Sequence, residues 1–425
     1  MAQKRKNDGG LKRYRLDVSA KFYPIISTKK AQSIFRICAE MDEPVDPVAL
    51  QRAAEVALNR FPTFRVRLKK GYAWHYLEEN PEPFDVLPSS GVILAPFDKK
   101  QTRGHLFRLC YVGNMIEMEI FHAVSDGLGA LELMKAVILA YAVEKGRKLG
   151  DTSCAVDLNA APTEEEAEDA FYRYYRPIRL SDLDLKGLMG EPPQLLGGTL
   201  CEDGYKSDIK TLPADKLKCV ARNLGATLTS LMCGAMAYAV ERVTKGKRPI
   251  VMMVPVNLRK MFPSATLRNF VNFVRLVFRP GELHTLGEYV SAATEQLKAK
   301  TTKEEMEKFF ATTVRAEKSL LLKLAPLWFK TVMARIFRVF LKSRQTVIFS
   351  NMGYVAVPEG CGVRRLVFNL NVSKNATVNV GALTVGNATT VAFTRAVKER
   401  NLEHEFYAAL AQAGVTPSDG CVAAL

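Results

Sequence analysis

No CxxC pair, no GxSxG elbow and no repeating period of solenoid length occurs in this sequence of 425 residues. Its eight cysteines (Cys38, Cys110, Cys154, Cys201, Cys219, Cys233, Cys361, Cys421) lie far apart, which excludes a disulfide framework and leaves no metal-ligand spacing. Several sit in apolar runs, as Cys233 does after Leu231-Met232, where a thiol packs as a small hydrophobe. The missing elbow argues against a serine hydrolase, and the missing period against a solenoid. The first eight residues are basic but lead into no apolar signal core, so a cytoplasmic protein is expected. Two stretches lack charge for 18 residues or more. Asn223 to Val240 carries three Thr/Ser and two Gly and reads as a buried core helix. Asn375 to Thr394 is rich in Val, Thr, Asn and Gly, a strand-and-turn composition. No transmembrane span is expected from either.

Acidic residues are in deficit: 60 Lys plus Arg stand against 44 Asp plus Glu, a net charge of +16. Such a balance favours an anionic partner, whether a phosphorylated cofactor, a nucleic acid or a lipid surface. At 48% hydrophobic and 24% charged the chain is an ordinary globular one, which excludes bulk disorder and coiled coil. Its length exceeds one core and suits two domains of about 200 residues.

Residues 31–40 read as a strand, and Asp46-Pro47 as the cap of a helix running to about Arg60. Phe64 to Leu68 alternates apolar and basic residues before Lys70-Gly71, and Tyr72 to Leu77 reads as its hairpin partner. Arg108 to Val112 and Met115 to His122 are strands joined at Gly113-Asn114, a strong hairpin signal. On the second of these, Ile116, Met118, Ile120 and His122 share one face. After Ser125-Asp126-Gly127 a helix follows with Leu128, Leu131, Met134, Ile138 and Tyr141 as a buried stripe. Residues 161–205, with Glu164-Glu165-Glu166, Pro192-Pro193 and Gly197-Gly198, read as a crossover between domains 1–160 and 206–425. The second half opens with a helix near Pro213, a longer one from Thr227 to Arg242, and a strand from Ile250 to Val256.

His122-Ala123-Val124-Ser125-Asp126-Gly127 is an H-x-x-x-D-G motif on a strand-to-helix turn. By spacing alone it admits a satisfied core histidine, a pair of metal ligands or a catalytic base, and no other His/Asp/Glu cluster completes a metal site. Four further segments follow in order: Gly225 to Leu231, of G-x-T-x-x-x-L form; Val254-Pro255-Val256-Asn257-Leu258-Arg259; Arg268-Asn269-Phe270; and Phe349-Ser350-Asn351-Met352-Gly353. Together they resemble the coenzyme-A-dependent acyltransferase superfamily of chloramphenicol acetyltransferase and peptide-synthetase condensation domains. The N-terminal run with Arg60-Phe61-Pro62 and Tyr72-Ala73-Trp74 is similar to its alcohol acetyltransferase branch. The family motif reads HHxxxDG, and Phe121 stands here in place of the first His.

The resemblance implies an α/β fold of two chloramphenicol-acetyltransferase-like domains, each a mixed sheet flanked by helices, with a tunnel between them. It implies His122 as the general base in acyl transfer from coenzyme A to an alcohol, or less favourably an amine. An imidazole of pKa near ~6.5 suits that task, and base catalysis is worth about 10²–10⁴-fold. Ser350 or Asn351 would stabilise the oxyanion. Asp126 and Gly127 would be structural, the carboxylate turned away toward Arg259 and the glycine permitting a close backbone approach. Acyl-coenzyme A would be a co-substrate, with no permanent cofactor and no metal. The alternatives are a condensation-type enzyme fed by an acyl carrier protein, and a non-catalytic binding protein of the same fold. Lys318 to Arg344 holds seven Lys/Arg and no acid. Its apolar residues are expected to pack inward with Lys330, Arg335, Arg338 and Lys342 facing water; a phosphate landing site and a membrane-surface helix are the other readings. The basic tail Lys4, Arg5, Lys6 with Lys12, Arg13 and Arg15 reads as a solvated arm, and no nucleic-acid motif accompanies it.

Overall fold

The computed structural model describes residues 10–28, 32–177, 191–340, 345–374 and 376–417, with backbone alone at 321 and 335–340. The first half of the chain runs β1 (Arg13–Arg15), α1 (Phe22–Ile26), β2 (Ile34–Met41), α2 (Pro47–Arg60), β3 (Val66–Lys70), β4 (His75–Glu79) and β5 (Leu87–Pro88). Then come β6 (Phe107–Val112), β7 (Met115–Phe121), α3 (Gly127–Glu144) and α4 (Ala170–Tyr174). The second half runs β8 (Lys206–Pro213), α5 (Ala214–Asn223), α6 (Leu228–Thr244), β9 (Ile250–Asn257), β10 (Val271–Phe278), α7 (Leu286–Lys300) and α8 (Lys303–Lys318). It closes with α9 (Leu320–Leu324), α10 (Leu327–Phe340), β11 (Val347–Tyr354), β12 (Val363–Asn369), β13 (Val378–Val385), β14 (Ala388–Arg395) and α11 (Asn401–Gln412).

Local chemistry explains most of these boundaries. The Asp46 carboxylate accepts from the Val48 and Ala49 amides and starts α2 with Pro47 in its first turn. Thr227 caps α6 through the Ser230 amide. Gly113, at a φ of 54°, makes the turn between β6 and β7 in a conformation that side chains disfavour. Helix α3 is apolar on almost every side and is buried over nearly its whole length.

Two mixed sheets carry the architecture. The first has the order β12-β2-β7-β6-β5 and the second β10-β9-β11-β13-β14-β8, with a small sheet β1-β4-β3 at the side. Helices α2 and α3 pack together over the first core, while α6 lies between α7 and α11 over the second. Strand β12 departs from chain order. It comes from the second half yet pairs antiparallel with β2, Phe368 opposite Ile37, so a division at residues 160 and 205 does not account for the first sheet. The N-terminal arm also crosses between cores, with Tyr14, Leu16 and Ala20 in the first and Val18 in the second.

The face of the first sheet opposite α2 and α3 holds buried charge. Glu117 and Glu119 on β7 pair with Arg36 on β2 and Arg108 on β6, and Ser89 and the Leu94 amide complete their hydrogen bonds. Burial of such charges is tolerable only with this degree of pairing.

Candidate active site

His122 follows the last residue of β7, where its amide donates to the Ser33 carbonyl at 2.8 Å. Its imidazole is half-buried between two rings. Tyr23 of α1 stacks on one face with centroids 4.4 Å apart, and Phe35 of β2 meets it edge-on at 5.0 Å. Nδ1 lies 2.8 Å from Oδ1 of Asn269.

The tautomer follows from that contact. The Asn269 side-chain amide donates to Asp17 Oδ2 and to the His122 carbonyl, each at 3.0 Å. The His122 carbonyl is an acceptor only, so the amide cannot be flipped, and Oδ1 must face the ring. An acceptor at Nδ1 requires a hydrogen there, which leaves the lone pair of the neutral imidazole on Nε2. Burial, the largest influence, holds the His122 pKa below its usual 6.5, while Asp126 and Asn269 oppose it. The ring is therefore neutral at pH 7 and its free nitrogen is a proton acceptor.

Asp17 completes this relay. Its Oδ1 accepts from the Ser19 hydroxyl at 2.8 Å and the Ala20 amide at 2.7 Å, and its Oδ2 takes both the amide and the side chain of Asn269. Burial pushes its pKa up, and these hydrogen bonds oppose the shift. The hydroxyl of Tyr23 is pushed up in turn by burial and by the charges of Asp17 and Asp126, so it stays protonated.

Asp126 is buried and turned away from the imidazole. Its Oδ1 caps α3 through the Gly129 amide at 2.9 Å, and its Oδ2 accepts from the Phe270 amide at 2.8 Å. Arg259 binds both oxygens, at 2.8 and 3.1 Å. The guanidinium is held in place by the carbonyls of Thr266 and Arg268. Such a two-point fork adds geometric precision as well as energy.

Residues 266–270 lie across the whole turn. The Leu267 carbonyl accepts from Ser125 at 2.6 Å, and Arg268 reaches the Val124 carbonyl at 3.2 Å from a fully buried position. The close approach expected at Gly127 falls instead at Gly129. A Cβ at Gly129 would overlap the Leu267 carbonyl and the Ser125 hydroxyl, whereas one at Gly127 would make ordinary contacts with Phe368 and Met352. The reason is that segment 266–270 crosses the first turn of α3 and not the residue that opens it.

Ser350 and Asn351 face opposite ways on β11. Ser350 pairs with Gly381, whose missing side chain makes room for the backbone and ring of Phe368 on β12. Directly paired residues share a face, so Ser350 looks toward the first sheet, where Phe368 meets Phe35 and Phe35 meets His122. Asn351 pairs with Ala382 on the other face. Its Nδ2 donates to Thr229 of α6 at 3.1 Å and its Oδ1 accepts from the Gly353 amide at 2.9 Å. The structure thus brings His122, Asp126 and Arg259 together and aims Ser350 at the same side, while Asn351 is committed elsewhere.

Three of the residues around the imidazole carry no sequence signal of their role. Asn269 lies in a recognisable segment, but the role of its side chain does not follow from the pattern. Asp17 and Tyr23 sit in an N-terminal stretch with no motif. Among the described residues, no group of three or more His, Cys, Asp or Glu could hold a metal ion.

The basic segment departs from its expectation. Lys330 is buried: its ammonium donates to the Ala73 carbonyl at 2.6 Å and lies 3.9 Å from the Trp74 ring centroid. Leu320, Leu324, Trp328, Phe329 and Val332 are exposed instead of packing inward. The cation turns in because Trp74 and a free carbonyl solvate it there. The side chains of Arg335 and Arg338, together with Lys342, Lys4, Arg5 and Lys6, lie outside the described residues.

No protein-family model and no curated protein sequence matches the chain. Solved structures do match in fold. The epimerization domain from the third module of tyrocidine synthetase B aligns over 96% of this chain and 98% of its own at 12% identity, with a TM-score of 0.60. The first condensation domain of the calcium-dependent antibiotic synthetase aligns over 94% and 97% at 16% identity and 0.60. The wax ester synthase/diacylglycerol acyltransferase of Marinobacter aquaeolei VT8 aligns over 94% and 100% at 13% identity and 0.55. The chain therefore has the two-lobed α/β fold of condensation domains and acyltransferases. Three names on one fold also mean that the fold alone does not set the reaction.

Proposed function

We infer that the chain is an acyltransferase that moves an acyl group from a coenzyme A thioester to an alcohol, with His122 as general base. One observation supports this above the rest: Asn269 fixes the imidazole with its hydrogen on Nδ1, leaving Nε2 to accept a proton. The depressed pKa keeps that nitrogen unprotonated at neutral pH.

In the proposed step the acceptor hydroxyl gives its proton to Nε2 as its oxygen attacks the thioester carbonyl. The tetrahedral oxyanion would take a hydrogen bond from Ser350, the member of the pair that faces the first sheet. Collapse breaks the carbon–sulfur bond, and the imidazolium returns the proton to the departing thiolate. Asp126 and Arg259 keep the turn rigid and take no proton. The step calls for no metal and no redox group. Substrates would meet His122 along the seam where residues 13–28, 122–127 and 266–270 come together, in a cytoplasmic protein whose lobes are proposed as 1–160 completed by β12, and the rest of 206–425.

Two rival readings each have an observation behind them. The fold shared with a condensation domain favours a carrier-protein donor and amide or ester formation. The Tyr23 ring lying on His122 favours a non-catalytic protein. Thiol release from acetyl-, butyryl- and long-acyl coenzyme A, with a panel of alcohols and amines, separates them. Acceptor-dependent release supports the first reading. Activity only with an acylated carrier protein supports the second, and binding without turnover the third.

A further inference from the structure

The exposed apolar residues of the second half are concentrated around α9 and α10. Leu320 is 71% exposed, Leu324 64% and Trp328 68%, with Phe329 and Val332 also open to solvent. Helix α10 packs on α1, whose Phe22 and Ile26 are exposed one turn apart. The Leu327 amide donates to the carbonyl of Tyr72, itself 75% exposed. These contacts join α1, α9, α10 and the hairpin tip into one exposed apolar patch, the kind of surface that marks an interaction site.

The segment that carries most of the patch has charge of one sign. Lys318 and Lys323 are exposed at its edge, and the sequence from Lys318 to Arg344 carries seven Lys/Arg and no acid. The nearby Glu317 is bound to Lys21.

We propose that this patch is a docking surface for an anionic lipid bilayer. It goes beyond the acyl-transfer reading and does not depend on it. Leucine, tryptophan and phenylalanine side chains that stand out from the surface can enter the acyl and headgroup boundary, where no matching shape is needed. Trp328 and Tyr72 belong to the residue types that settle at headgroup level. The lysines reach anionic headgroups, each adding about fivefold to binding. A second copy of the chain is a poorer occupant, because a two-fold contact would press the same basic segment against itself. An acidic carrier protein would match the charge but needs a recess for its own contacts, and the apolar residues here project. The patch backs onto the site: Phe22 and Ile26 meet the bilayer from the same five-residue helix whose Tyr23 lies on His122. Lipid-soluble substrates would thereby arrive next to the imidazole.

Sedimentation of the full chain with large unilamellar vesicles tests this, using phosphatidylcholine alone and phosphatidylcholine with phosphatidylglycerol. Binding is expected to the anionic vesicles, weakening as salt rises. Replacing Lys318 and Lys323 by Gln should weaken it about fivefold for each. Leu324→Glu with Phe329→Glu should weaken it about a hundredfold or more. All four residues are exposed, and unchanged melting curves would show that the variants fold. Brominated lipid should quench part of the tryptophan emission, and that part should vanish in Trp328→Phe. No binding, equal binding to both vesicle types, or unchanged binding by the double glutamate variant would overturn the proposal. Loss of self-association or of carrier-protein binding in that variant, without vesicle binding in the wild type, would overturn it too. His122→Ala should bind vesicles like the wild type, so failure of the acyl-transfer reading and failure of the docking surface give different results.

Discussion

Asn269 and His122 are joined twice: the Asn269 oxygen meets Nδ1 of the ring at 2.8 Å, and its amide meets the His122 carbonyl at 3.0 Å. A residue 147 positions away in sequence thus clamps both ends of the histidine. With Asp17 behind it, the asparagine determines which imidazole nitrogen is free.

Replacing Asn269 by Ala should therefore lower turnover by about tenfold or more, within the ~10²–10⁴-fold that a general base supplies, with little change in KM. The pH profile carries the sharper information. In the wild type the acid limb of kcat/KM should lie below pH 6.5, because burial depresses the His122 pKa. Asn269→Ala removes the hydrogen bond that favours the charged ring and should move that limb to still lower pH. The same depression affects stability. The unfolded state binds the His122 proton more readily, so this contribution is complete above pH 6.5 and is lost as the pH falls through the lowered value. His122→Gln should flatten the wild-type decline in that window.

Asp126 and Arg259 should behave as a structural pair. Asp126→Ala is expected to cost about 3–5 kcal/mol of stability, since it leaves a partly buried arginine without its counter-charge and the Gly129 and Phe270 amides without their acceptor. A double-mutant cycle with Arg259→Ala, read by denaturant unfolding, should show coupling of about 0.5–3 kcal/mol. Additive losses would mean that the fork contributes nothing as a unit.

Ser350 and Asn351 should separate by kind of defect. Ser350→Ala is expected to lower kcat by about 10²–10³-fold with the melting temperature nearly unchanged. Asn351→Ala removes the link from β11 to Thr229 of α6 and should lower stability first. If Asn351 carried the larger kcat effect at unchanged stability, the assignment of faces on β11 would be wrong.

Tyr23 should govern access to the ring it covers. Diethyl pyrocarbonate acylates neutral imidazole, and the modification rate of His122 followed by mass spectrometry should rise in Tyr23→Ala. An unchanged rate would show that the stacked ring does not limit access.

Much of the local structure is legible in the sequence because its causes are local. Asp46-Pro47 starts α2, Gly113-Asn114 turns β6 into β7, and Thr227 starts α6, each through groups within three residues. The strand expected over 64–68 begins two residues later, at Val66, because Phe64 and Arg65 are used in the turn that leaves α2. Long-range relationships are not legible in the same way. The insertion of β12 beside β2 joins residues more than 300 positions apart, and no periodicity carries it. The aspartate behind the site and the tyrosine over it come from an arm whose alternation between two cores appears only once both cores exist. Lys330 misleads for a physical reason: a lysine in a basic helix ordinarily faces water, and here a carbonyl and an indole from another segment turn it inward.

The most direct test of the account is release of free thiol from acyl-coenzyme A by wild type and His122→Ala, each with and without an alcohol acceptor, at pH 7. The account predicts acceptor-dependent release by the wild type that falls by about 10²-fold or more in the variant, with unchanged thermal unfolding. Equal release by the two proteins would contradict the role given to His122.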